Sequence, residues 1–161
     1  MVQKDRIVNE LMELVQIDSE TKHEREICDA LIRKFNDLGL DVKEDDSAAK
    51  TGHGAGNLIA TLPAKPGKEQ AVPILFTAHM DTVVPGKGVK PVLDDDGYIR
   101  SDGTTILGSD DKAGLAAMIE ALRVLKENDI KHGPIQFVIT AGEEAGLVGA
   151  QALDKNELRA A

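Results

Sequence analysis

The sequence predicts an α/β fold, a sheet flanked by helices, on three observations. Apolar residues recur at helical spacing in three long segments, short and nearly continuous apolar runs alternate with those segments, and polar clusters follow the runs directly. At 161 residues, 42% hydrophobic and 29% charged, the chain has the composition of an ordinary globular domain with a real core.

Each element has its own justification. Lys4–Val15 carries Ile7, Val8, Leu11, Met12 and Val15 on one helical face. A second helix is expected to open on Thr21 and Glu24, spaced as a capping box, with a stripe of Ile27, Leu31, Phe35 and Leu38. Gly39 ends it. Leu40 and Val42 alternate with polar residues as a short strand, and the small, polar stretch 47–56 reads as a loop. Residues 57–62 and 74–78 read as strands, nearly continuous apolar runs as in a sheet covered on both faces. Asp96-Gly97 marks a tight hairpin turn ahead of YIRS. A helix is predicted over 112–128, with Leu115, Ile119, Leu122 and Leu125 inward. A buried strand follows over 135–140, and a further helix begins within 146–153.

Composition narrows the function. A net charge of −9 disfavours nucleic-acid phosphates, and 2% aromatics removes most base-stacking surface, so no nucleic-acid partner is expected. No apolar run reaches the ~20 residues that cross a bilayer, and the N-terminus has no signal-peptide core. No membrane partner is expected. The single cysteine, Cys28, forms no internal disulfide, which suits a reducing compartment; the expected location is cytoplasmic.

Three polar clusters carry the chemistry. His79-Met80-Asp81 follows the run ILFTA, Gly108-Ser109-Asp110-Asp111-Lys112 precedes a helix, and Gly142-Glu143-Glu144 follows IQFVITA. Open α/β sheets bind ligands beyond the carboxyl ends of their strands, which is where these clusters fall. Residues i and i+2 of an extended segment share a side, so Asp81 can accept a hydrogen bond from one ring nitrogen of His79 and orient it as a metal ligand. Paired acids repel unless a cation lies near. Imidazole together with carboxylates suits zinc, with cobalt and manganese as alternatives.

Other motifs carry less. His23-Glu24-Arg25-Glu26-Ile27 begins like HExxH but has Ile27 at the second histidine position, and reads as a helix start. Gly52-His53-Gly54-Ala55-Gly56 opens no helix and is a poor phosphate loop. Asp94-Asp95-Asp96-Gly97 lacks the glutamate that completes a calcium loop. His132 reads as a turn residue and Cys28 as a packing residue.

HMD at 79–81, GSDDKAG at 108–114 and TAGEEAG at 140–146 together resemble the M20 family of dinuclear zinc peptidases and deacylases. HMDT, GKGVKP and LGSDDKAG are most similar to its tripeptidase T-like branch. The resemblance implies a three-layer, zinc-exopeptidase-like sheet flanked by helices. It makes His79 a ligand of one zinc with Asp81 orienting it, Asp110 the bridging carboxylate, Glu143 the general base and Glu144 a ligand of the other zinc. It also makes Asp110-Asp111 a candidate cis peptide.

Members of that family carry another carboxylate ligand, a histidine near the C-terminus and an inserted dimerisation domain. This sequence contains none of them, so residues 1–161 are expected to be the N-terminal part of a truncated catalytic domain. Each of two zinc ions would have two protein ligands. The expected function is metal-dependent hydrolysis of amide bonds in short peptides, as an aminopeptidase or tripeptidase that is a homodimer when complete. The alternatives are a deacylase of N-acyl amino acids and a catalytically inactive metal-binding fragment. The chain alone is expected to be inactive, to bind zinc weakly and to self-associate through apolar surface.

Overall fold

The computed structural model describes residues 1–159 and forms three layers. The central sheet contains β1 (Asp41–Glu44), β2 (Leu58–Leu62), β3 (Ile74–His79) and β6 (Ile135–Thr140), in the order β1-β2-β6-β3. Antiparallel pairing joins β1 to β2 and β2 to β6, whereas β3 and β6 run parallel. Helices α1 (Lys4–Val15), α2 (Arg25–Asp37) and α4 (Ser109–Glu127) form one outer layer. The short helices α3 (Ser47–Thr51) and α5 (Val148–Ala152), followed by a 3-10 turn over Lys155–Glu157, lie against the opposite face. A separate hairpin, β4 (Pro91–Leu93) and β5 (Ile99–Ser101), turns through Asp94 and Gly97 as the Asp-Gly signal predicts.

Strand register decides which side chains reach the core. Leu58, Ala60 and Leu62 stand beside Ile139, Phe137 and Ile135 of β6, and so face the same layer. They pack with Leu14, Ile27, Leu31, Phe35, Leu115, Ile119 and Leu122, the inward residues of the three long helices. Phe35 and Phe137 stack with centroids 6.0 Å apart, and Phe76 continues the stack at 5.4 Å from Phe137. Gln136 points the other way, donating to the Glu157 carbonyl and accepting from the Arg159 backbone amide.

The structure corrects three sequence expectations. Thr21 and Glu24 form no capping box: α2 starts at Arg25 without a side-chain cap. The Thr21 hydroxyl instead goes to Asp81, and Glu24 accepts the backbone amides of Lys22 and Gly54. Residues 47–51 are helical because Asp45 accepts from Ser47 and from both amide groups of Asn57, fixing the entry to α3. Finally, the sheet is not covered throughout. Both β2 and β6 are buried, but β3 is an edge strand and leaves Ile74 51% and Phe76 43% exposed.

Among the described residues, no helix is long and apolar enough to cross a membrane. Cys28 is a free, buried thiol, and burial pushes its pKa up to about 12, so it is inert as a nucleophile.

Candidate metal centre

The site follows from the parallel pairing of β3 with β6. His79 ends β3 opposite Thr140, which ends β6, so the segments leaving the two strands emerge side by side. Met80 extends the ladder by donating to the Thr140 carbonyl at 2.9 Å. Beyond it, the turn carrying Glu143 and Glu144 folds over Asp81. The start of α4 brings Asp110 to the same place.

At that start the backbone departs from helical geometry at Asp110 (φ −91°, ψ 108°) and Asp111, and the peptide between them is cis. Regular turns begin after Asp111, whose Oδ1 accepts the Gly114 amide at 3.1 Å as an N-cap. The two adjacent aspartates therefore differ: Asp111 serves the helix, and Asp110 faces His79.

His79, Asp110 and Glu144 converge. One ligand atom from each lies within 4.8 Å of the others, with the imidazole buried and both carboxylates exposed. His79 Nε2 is 3.1 Å from Asp110 Oδ1 and 3.8 Å from Glu143 Oε2. Its Nδ1 lies 2.9 Å from the Asp81 backbone carbonyl and 3.6 Å from the Asp81 carboxylate. The sequence reading paired His79 with the Asp81 side chain. The shorter contact is to the main chain, because the carboxylate is turned toward other donors. A carbonyl only accepts, so the Nδ1 proton is fixed and Nε2 faces the acids.

Asp81 is fully buried and connects three segments. It accepts the Thr21 hydroxyl at 2.8 Å, the Glu143 amide at 2.9 Å and the Glu144 amide at 3.3 Å. Burial alone would raise its pKa, but these bonds and the neighbouring imidazole outweigh it and hold the group below its ordinary value. Burial also opposes charging of His79, yet the Asp81 and Asp110 carboxylates raise its pKa to about 9. Glu144 moves up, through desolvation first and then repulsion from Glu143, Asp110 and Asp81, against the pull of His79.

These features fit a divalent cation. A proton on Nε2 bridges His79 to Asp110, and a cation held by the same two atoms would replace it. Glu144 is raised by desolvation first and then by repulsion from the neighbouring carboxylates, and a cation would relieve that repulsion. One imidazole and two carboxylates form a donor set suited to zinc, manganese or cobalt. A cleft of about 250 Å³ runs beside Asp110 and Glu144, walled by Val83, Ile106, Leu107 and Ser109.

Thr21 is the site residue that sequence reasoning missed. Its partner is 60 positions away, and the local spacing suggested a helix cap instead.

Known proteins resemble this chain over nearly all its length. A Bacillus subtilis protein, YqjE, described as uncharacterised, is 64% identical across 99% of the chain, which spans 42% of that protein. The crystal structure of aminopeptidase PepT from Bacillus cereus superposes with a TM-score of 0.94 at 65% identity, over 99% of this chain and 42% of that one. A tripeptidase from Staphylococcus aureus gives the same TM-score at 56% identity and the same coverage. The chain thus spans less than half the length of these relatives. The model of peptidase family M28 matches residues 57–160, a span that contains every residue of the cluster described above. The chain belongs to peptidase family M28.

Proposed function

We propose that this chain forms the metal-binding part of an aminopeptidase acting on short peptides, most like the tripeptidases of the M20 type. The convergence of His79, Asp110 and Glu144, with Glu143 3.8 Å from the imidazole, carries the reading. Two of the solved neighbours are an aminopeptidase and a tripeptidase, which supports peptides over N-acyl amino acids.

In a two-zinc arrangement, His79 and Asp110 would hold one ion and Asp110 and Glu144 the other. Such ions would supply Lewis-acid polarisation of the scissile carbonyl and acidify water toward a pKa of ~7. The chain's own residues do the rest. Asp81 and its backbone carbonyl fix the tautomer and orientation of His79. Glu143 is the general base: its carboxylate accepts the proton of the attacking water and then delivers it to the departing amine nitrogen. Asp81 anchors the Glu143 and Glu144 amides and so fixes where both carboxylates begin. Two side chains per ion make a weak site, so the chain by itself is expected to hold zinc loosely and turn over little substrate.

The test is cleavage of tripeptides and of N-acyl amino acids by a full-length protein carrying this sequence, with zinc or cobalt supplied. Release of the N-terminal residue from tripeptides, lost in Glu143→Ala, is the expected result. Cleavage of N-acyl amino acids with tripeptides left intact would make the protein a deacylase.

A further inference from the structure

We infer that Thr21 is a positioning residue of this site, acting through Asp81 to hold the Glu143–Glu144 turn and His79 in place. The inference rests on the metal-centre reading for its functional consequence, but its geometry stands independently.

Residues 17–21 form a strap along the segment that leaves β3. Thr82 donates its amide to the Ser19 carbonyl at 2.9 Å, and Thr21 donates its own to the Thr82 carbonyl at 3.1 Å. Glu20 pairs with Thr82 as an isolated parallel bridge, and its Oε1 accepts the Gly86 amide at 2.7 Å. The strap is also tied to the Asp110 side of the site: Lys112, buried at the start of α4, donates to the Ile17 carbonyl at 2.7 Å. Thr21 is thereby held in register with Asp81 by the main chain, with its hydroxyl free to act.

That hydroxyl has one proton and two acceptors in reach. Asp81 Oδ2 at 2.8 Å is closer than the Thr82 carbonyl at 3.4 Å, and it carries charge, so the proton goes to Asp81. The other donor to the same oxygen is the Glu144 amide at a longer 3.3 Å. Removing the hydroxyl leaves a fully buried carboxylate oxygen with only that weak bond. The carboxylate then shifts to recover donors, and it takes with it the Glu143 and Glu144 amides and the imidazole beside it. Supporting groups of this kind typically change metal affinity by about 10–100-fold.

The experiment compares the wild type with Thr21→Val, which keeps the shape, and Thr21→Ser, which restores the hydroxyl. Amide hydrogen exchange is followed at Glu143 and Glu144, with Val138 and Ile139 of β6 as a control for global stability. In Thr21→Val, exchange at Glu143 and Glu144 is expected to quicken about tenfold, the scale of one lost hydrogen bond to a charged group, with the β6 amides unchanged. Thr21→Ser is expected to return both to wild-type rates. Wild-type exchange at 143 and 144 in Thr21→Val, or equal acceleration of the β6 amides, overturns the inference. Zn²⁺ titration of the same proteins separates the two readings. A roughly tenfold weaker Kd in Thr21→Val supports both. The exchange effect with no Zn²⁺ uptake by any of the three defeats the metal centre and leaves the positioning role intact.

Discussion

His79 and Glu144 stood out in the sequence because strand ends are local features, and Asp110 because its polar cluster precedes a helix. An apolar run that stops on His-x-Asp or Gly-Glu-Glu announces both the strand and its polar mouth. Thr21 was not legible, since a hydroxyl has many local uses and nothing in its neighbourhood points 60 residues onward to Asp81. The choice of Asp110 over Asp111 required the family resemblance, and the structure supplies a physical difference in the N-cap bond that Asp111 makes to Gly114. Two outcomes belong to this scale. In a full-length protein carrying this sequence, Glu143→Ala is expected to abolish turnover while sparing metal content, whereas Glu144→Ala loses metal; elemental analysis of the purified variants checks this. Gly142 has φ +65°, and an added Cβ would lie 2.5 Å from His53 Nε2 and 2.6 Å from Val148 Cγ2. Gly142→Ala is therefore expected to cost at least ~1–2 kcal/mol from the left-handed backbone alone, read by urea denaturation.

Among the elements, α1 was readable to the residue because its apolar stripe meets one continuous partner surface. By contrast, α3 was hidden, since its entry depends on an Asp45–Asn57 network that joins residues 12 apart. The contact between α1 and α4 is fastened by charge. Arg6 reaches Glu120 through two bonds, at 2.6 and 2.9 Å, and also bonds Glu127, while the Gln3 amide donates to Glu120 as well. Glu120 is 1% exposed, and its bond to Arg6 lowers its pKa against the opposing effect of burial. A carboxyl depressed in the folded state contributes stability that is complete above its unfolded value of ~4.3 and is lost as pH falls through the lower folded value. Glu120→Gln is expected to lower the melting temperature at neutral pH. It should also flatten the fall in melting temperature between about pH 5 and 3, which thermal scans across pH would reveal.

The whole molecule is a three-layer unit with one open side. Among the described residues no strand pairs with the outer edge of apolar β3, and Ile74 and Phe76 contribute to an apolar groove of about 660 Å³ against Met118, Val124 and Leu125 of α4. Uncharged, open edge strands favour association with other chains. Sedimentation is expected to show concentration-dependent self-association, reduced by Ile74→Lys. The sequence led us to expect exposed apolar surface but not its place on β3, because an apolar run reads the same whether or not a layer covers it. Three segments distant in the chain meet at the mouth of this sheet, and their donor atoms call for a cation between them. Calorimetric titration of the purified chain with Zn²⁺ tests it most directly. A centre built on His79, Asp110 and Glu144 predicts saturable uptake that is lost in His79→Ala and in Glu144→Ala and kept in Glu143→Ala; no uptake, or uptake that survives both losses, would contradict it.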